Sequence, residues 1–176
     1  MRVSLPENMK IASIMTAPGE HYAKEIATAG NEFAYSIYRH SKLPLKVFEA
    51  ARITTAIING CKVCMNWRAA RDITLLGIDG GVVSNGEPPS EAFYKHLLDN
   101  ELDNFDEREL LAVRYAREMG TNPKGLSKDE SFWKELSAAF TDMEITDLTY
   151  CIAGWMGMGR VAHVLGLDSG CSLTTD

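Results

Sequence analysis

Apolar residues recur along this chain at the three- and four-residue spacing of helices, and nowhere alternate strictly enough to suggest a strand. Between 20 and 39 they fall at Tyr22, Ile26, Ala29, Phe33, Tyr35 and Ile37, which predicts a first helix. Pro44, at the position where proline costs a helix least, opens a second. Its apolar positions are Val47, Ala50, Ile53 and Ile57, Glu49 and Arg52 lie on another face, and Asn59-Gly60 stops it. A third helix is expected from Cys61 to about Leu76, followed by a glycine-rich connection from Gly77 to Pro89. No predicted strand precedes that connection, so its glycines do not form a phosphate-binding fingerprint.

The second half repeats this grammar. A short helix is expected from Ser90 to about Leu98, then a longer one from the N-cap Asp106, with Glu109 three residues on, through Met119 to a stop at Gly120, Asn122 and Pro123. Two further capping boxes follow, Ser127 with Glu130 and Thr141 with Glu144. They open helices carrying Phe132, Trp133, Leu136 and Phe140, and then Ile145, Leu148, Ile152 and Trp155, stripes that predict a core. The run Gly154-Trp-Met-Gly-Met-Gly159 places glycines inside a helix, where each costs roughly 1 kcal/mol relative to alanine and points to close approach of another backbone or to an open cavity wall, tight helix packing being the favoured reading. The fold class predicted is all-α. One domain is expected over 1–176, with 1–18 as an N-terminal extension and 169–176 as a C-terminal tail.

Composition narrows the function classes. The chain is 45% hydrophobic and 24% charged, a globular balance. A net charge of -6 without a Lys/Arg cluster argues against a nucleic-acid or anionic-membrane partner. The stretch Met1 to Ala17 carries Arg2, Glu7 and Lys10 and no long apolar run, so it fits neither a secretory signal nor a transmembrane span. A cytoplasmic location is expected.

The chemistry centres on Cys61 and Cys64, set as Cys-Lys-Val-Cys at the start of a predicted helix. Thiols at that spacing are close enough to close a disulfide, and a helix N-terminus favours the thiolate. Glu49, twelve residues upstream, is a candidate proton acceptor for a thiol brought beside it. Arg52, one turn from Glu49, either holds that carboxylate ionised or makes an ordinary surface or interhelical ion pair with it. Trp67 is expected to pack rather than bind. Cys151 reads as a buried small hydrophobe within the last helix, and Cys171 falls in a polar tail.

The spacing from Glu49 to the Cys61/Cys64 pair, the run Asp-Glu-Arg-Glu-Leu-Leu-Ala at 106–112 and the run Phe-Thr-Asp-Met-Glu-Ile-Thr-Asp-Leu-Thr at 140–149 together carry a family resemblance. Over about residues 20 to 168 the chain resembles the carboxymuconolactone decarboxylase and alkylhydroperoxidase D superfamily. The resemblance implies an AhpD-like helical fold that buries apolar surface between subunits, hence a homo-oligomer. It also implies thiol-dependent hydroperoxide reduction, an antioxidant peroxidase activity in which Cys64 attacks the peroxide and Cys61 resolves it. A dithiol reductant, thioredoxin-like or lipoyl, then resets the pair, and no further cofactor is called for. The peroxidase branch has a histidine four residues after the second cysteine, where this chain has Arg68. A guanidinium one turn beyond Cys64 stabilises a thiolate by charge but cannot shuttle its proton. Glu49 then acts alone or through water, or His163 or His40 supplies a base.

Three other readings compete: half of a zinc site lacking a second ligand pair, a general thiol-disulfide oxidoreductase or redox sensor without peroxide turnover, and a non-enzymatic interaction protein with a vestigial pair.

Overall fold

A computed structural model of the chain describes residues 1–7 and 13–168. Among them 71% helix and no strand is found, as the periodicity predicted. Ten α-helices run in the order α1 (Ala17–Tyr22), α2 (Lys24–His40), α3 (Leu45–Asn59), α4 (Lys62–Asn66), α5 (Ala69–Asp72), α6 (Glu91–Asp99), α7 (Glu107–Thr121), α8 (Pro123–Leu126), α9 (Glu130–Ala139) and α10 (Asp142–Val164). Two short 3-10 turns, Ile73–Leu76 and Gly81–Ser84, lie between α5 and α6. The expected tail 169–176, with Cys171, lies outside the described residues.

The organising element is α3, which packs chiefly against α7 and α10 and also against α6. Pro44 stands at its N-cap and Gly60, at φ 68°, ends it in the left-handed conformation that glycine adopts without strain. Phe48, Ala50, Ala51 and Ile53 have no exposed surface, and neither has Glu49. The second face expected for Glu49 and Arg52 is therefore as buried as the apolar one, whereas Ile57, placed on the apolar face by spacing, is 40% exposed. A helix enclosed by neighbours on most sides keeps only a few positions in solvent, and its buried polar residues must find partners inside. Thr54 and Thr55 do so by donating to the carbonyls of Ala50 and Ala51, each at 2.8 Å.

The C-terminal half behaves as its pattern predicted. Phe132, Leu136, Phe140, Leu148, Ile152 and Trp155 are buried in the main core together with Phe48 and Val47 of α3. Both boxes Asp106/Glu109 and Thr141/Glu144 are formed reciprocally. The third box is not. Ser127 closes α8, and Asp129 caps α9 by accepting from the Phe132 N–H at 3.0 Å. Pro123 starts a short helix there instead of only ending α7, which moves the next N-cap two residues downstream.

The glycines of α10 divide in two. A β-carbon at Gly154 would collide with Ile37 and lie 3.2 Å from Phe33, and one at Gly159 would collide with the Asn59 amide; at Gly157 nothing lies within 4 Å. Close helix packing accounts for the first two. The first predicted helix is also interrupted, at Ala23, where the chain leaves helical geometry between α1 and α2. The expected extension is tied down at two points. Arg2 N–H donates to Leu165 O at 2.8 Å, and the Tyr22 hydroxyl donates to Ser4 O at 2.6 Å.

Candidate functional site: a cysteine pair on a short helix held at both ends

Sequence periodicity expected one helix from Cys61 to Leu76; the structure breaks it at Trp67 and Arg68, which are extended at ψ 141° and 119°. The hydrogen bonds explain the break. A continuous helix would join Arg68 N–H to Cys64 O and Ala69 N–H to Met65 O. Here Arg68 N–H donates to Asp72 Oδ2 at 2.8 Å, and Ala69 N–H donates to Glu49 Oε1 at 2.7 Å. The vacated carbonyls turn to guanidinium groups: Cys64 O accepts from Arg52 at 2.8 Å, Met65 O from Arg68 at 2.7 Å and Asn66 O from Arg71 at 2.7 Å. Trp67 O accepts from both Arg52 and Arg68. Three cations thus stand at the carbonyl end of α4, the end of a helix where positive charge is favourable.

Glu49 and Arg52 are the root of this arrangement. Arg52 Nε donates to Glu49 Oε2 at 2.6 Å, with side chains 3% and 0% exposed. The surface alternative for this pair is thereby corrected: it is a buried intrahelical pair with further hydrogen bonds to the backbone of Cys64, Trp67 and Ala69. Burial works against the Arg52 charge, but Glu49 and Tyr38 beside it hold its pKa above the ordinary value. The carboxylate accepts from Arg52 through Oε2 and from Ala69 N–H through Oε1.

Arg68 sits otherwise than a helical turn beyond Cys64 would place it. Its guanidinium donates to Glu91 at 3.2 Å and stacks 3.9 Å from the centre of the Tyr94 ring. Its contact with the cysteine segment is through the Met65 and Trp67 carbonyls, because the break turns its side chain toward α6. Tyr94 is driven to a raised pKa by burial and by the charge of Glu49. Trp67 packs edge-on to Tyr38, ring centres 6.3 Å apart, as expected of a packing residue.

Cys61 and Cys64 are joined in a disulfide with Cα atoms 5.2 Å apart. Cys61 is the N-cap of α4 and has no exposed surface, and its Sγ accepts from Cys64 N–H at 3.3 Å. Cys64, in the first turn, is half-buried. The two residues differ in burial, Cys64 being the more exposed of the pair.

The N-terminal end of α4 has a partner the sequence did not suggest. Asp168, 106 residues on and 5% exposed, accepts from Lys62 N–H at 3.2 Å. The same oxygen, Oδ2, lies 3.0 Å from His163 Nδ1. Desolvation opposes the Asp168 charge, yet these two hydrogen bonds hold its carboxyl below the usual carboxylate range. The imidazole leans on Gly60, with Nε2 3.1 Å from where a β-carbon would stand. Of the two histidines considered as bases, His163 thus packs on Gly60, the residue before Cys61, while His40 is an exposed residue at the end of α2.

Cys151 is buried, as predicted, and donates to Asp147 Oδ1 at 3.2 Å; burial and that carboxylate push its thiol pKa up, leaving it protonated and inert. Among the described residues no group of three or more His, Cys, Asp or Glu side chains is placed to hold a metal ion, and no helix is long and apolar enough to cross a membrane. Comparison with known protein families, with characterised proteins and with solved structures finds no match to this chain.

Proposed function

We propose that the protein is a thiol-dependent hydroperoxide reductase of the carboxymuconolactone decarboxylase and alkylhydroperoxidase D type, an antioxidant enzyme of the cytoplasm working through a Cys61–Cys64 disulfide cycle. The observation that carries this reading is the asymmetry of the pair: Cys64 is accessible and Cys61 is enclosed, on a helix fastened by the buried Glu49–Arg52 pair. In the cycle, the Cys64 thiolate attacks the distal peroxide oxygen, forming S–O and breaking O–O, and the alkoxide leaves with a proton. Cys61 then attacks the sulfenic sulfur, forming S–S and releasing water. A dithiol, thioredoxin-like or lipoyl, reduces the disulfide and is itself oxidised.

Within this reading Arg52, bonded to the carbonyl of Cys64, supplies the positive charge nearest that residue's backbone, and Glu49, paired with Arg52, is the acceptor for the thiol proton. Arg68 contributes by fixing the Met65 carbonyl. A homo-oligomer belongs to the same proposal, supported by apolar side chains left exposed on α2 and α10: Ile26 at 79%, Tyr150 at 63% and Val164 at 69%. Light scattering at micromolar concentration tests it, and a monomer refutes it.

Cys64→Ser is expected to abolish consumption of hydrogen and organic hydroperoxides while circular dichroism keeps its helical signature; full activity in that variant sinks the assignment. One observation favours the second reading, a thiol-disulfide oxidoreductase without peroxide turnover: the position of the family histidine is held by Arg68, engaged with Glu91. Insulin disulfide reduction without hydroperoxide consumption would select it.

A further inference from the structure

Asp168 and His163 touch the residues on both sides of Cys61. Asp168 Oδ2 accepts from Lys62 N–H, one residue after it, and the Nε2 edge of His163 packs on Gly60, one residue before it. A carboxylate only accepts hydrogen bonds, so in the neutral ring the proton lies on Nδ1, which faces Asp168 at 3.0 Å. The lone pair is then on Nε2, the nitrogen that packs on Gly60, the residue before Cys61. Cys61 has no exposed surface in the disulfide form, so a proton it releases on closing the bond has no direct path to bulk water. The imidazole has one, its side chain being 49% exposed. Glu49 and Arg52 serve the opposite end of α4, at Cys64 and beyond.

We propose that His163, oriented by Asp168, accepts the proton of Cys61 when this thiol closes the disulfide with Cys64, and returns it when Cys61 leaves as a thiolate during reduction. The inference rests on the disulfide cycle but not on the identity of the oxidant. In closure, the Cys61 proton passes to Nε2 and the thiolate attacks the Cys64 sulfur. The new S–S bond forms as the group on Cys64 departs with the electron pair. Asp168 is a positioning residue, holding the ring and the first turn of α4 in one register.

The test avoids peroxide. The reduced protein, carrying Cys171→Ser so that the pair and the buried Cys151 are the remaining thiols, is mixed with the aromatic disulfide dithiobis(nitrobenzoate). Cys64 releases one thionitrobenzoate and keeps the other as a mixed disulfide. Cys61 then displaces the second in a first-order phase read by absorbance. His163→Ala is expected to slow the second phase by about 100-fold, within the range of general base catalysis, and to leave the first unchanged. Imidazole in the buffer restores the second phase, and Asp168→Asn slows it in the same direction. An unchanged second phase in His163→Ala, equal slowing of both phases, or slowing that imidazole does not relieve overturns the proposal. A protein that closes the disulfide with this dependence yet consumes no hydroperoxide removes the peroxidase reading and leaves the His163 role standing.

Discussion

The start of α10 and the short helix α4 end their hydrogen-bond ladders in opposite ways. Thr141 and Glu144, three residues apart, satisfy each other's backbone N–H groups and make the start of α10 self-sufficient. The ends of α4 have local partners in Cys61, Arg68 and Arg71 but also depend on residues from elsewhere: Asp168 at the N-terminus, 106 residues away, and Arg52 at the C-terminus, 12 residues from Cys64. A five-residue helix is too short to persist by its own cooperativity, so its geometry is that of the groups holding it. The helix that frames the core caps itself; the helix that carries the cysteines is positioned by the rest of the fold.

This contrast breaks most readily at Glu49. Its replacement by Ala strands Arg52 as an unpaired buried charge and frees Ala69 N–H, and urea denaturation is expected to show a loss of about 3–5 kcal/mol. The double replacement Glu49→Leu with Arg52→Met should recover much of that stability while loosening α4, seen as faster hydrogen exchange at Met65 to Ala69. A loss below about 1 kcal/mol in the single variant would mean the pair does not anchor the segment. Thr141→Ala, by comparison, removes one local cap and should cost about 1 kcal/mol with no change in exchange at α4.

The glycines of α10 sharpen the same division between local and tertiary control. Gly154→Ala drives a methyl into Ile37 and Phe33 and is expected to destabilise by about 1–3 kcal/mol. Gly157→Ala meets nothing within 4 Å and should stabilise by about 0.5–1 kcal/mol, read as an increase in the urea midpoint. The smallest effect concerns pH. The folded Asp168 carboxyl lies below its ordinary 3.8, so as pH falls the unfolded chain binds the proton first. Its contribution is complete above that value and disappears as pH falls through the folded value. The stability difference between the parent and Asp168→Asn should therefore shrink as pH falls from about 5 toward 3; a difference independent of pH over that range would show that the carboxylate charge is not what holds α4.

Much of the fold was legible because its signals are local. The stripes of Phe132, Leu136, Leu148 and Ile152 repeat with the helical turn, and the Asp106/Glu109 and Thr141/Glu144 boxes span three residues each. Ser127/Glu130 shows the limit of that signal: the motif is present, but Pro123 begins a helix that Ser127 closes, and Asp129 takes the cap. At the site, the pairing of Cys61 with Cys64 follows from spacing, and Glu49 with Arg52 from their positions one turn apart. The break at Trp67 has no signature in Trp-Arg-Ala-Ala itself, where nothing opposes a helix; of the competitors for its hydrogen bonds, Asp72, Arg68 and Arg71 are local, but Glu49 and Arg52 stand on α3. Asp168 was missed for the same reason, and Glu91 and Tyr94, which hold the Arg68 guanidinium, lie 23 and 26 residues away on α6.

By itself, then, the sequence determined an all-helical chain, the positions of most caps and stripes, and a cysteine pair able to close on itself, because each depends on residues within a turn or two of one another. The tertiary structure alone decided that Cys61 is enclosed while Cys64 is reached, that Glu49 and Arg52 are interior, and that His163 and Asp168 stand at the head of the cysteine helix. Burial and long-range hydrogen bonds arise only when distant segments exclude water together, and no pattern within one segment records which segments those are.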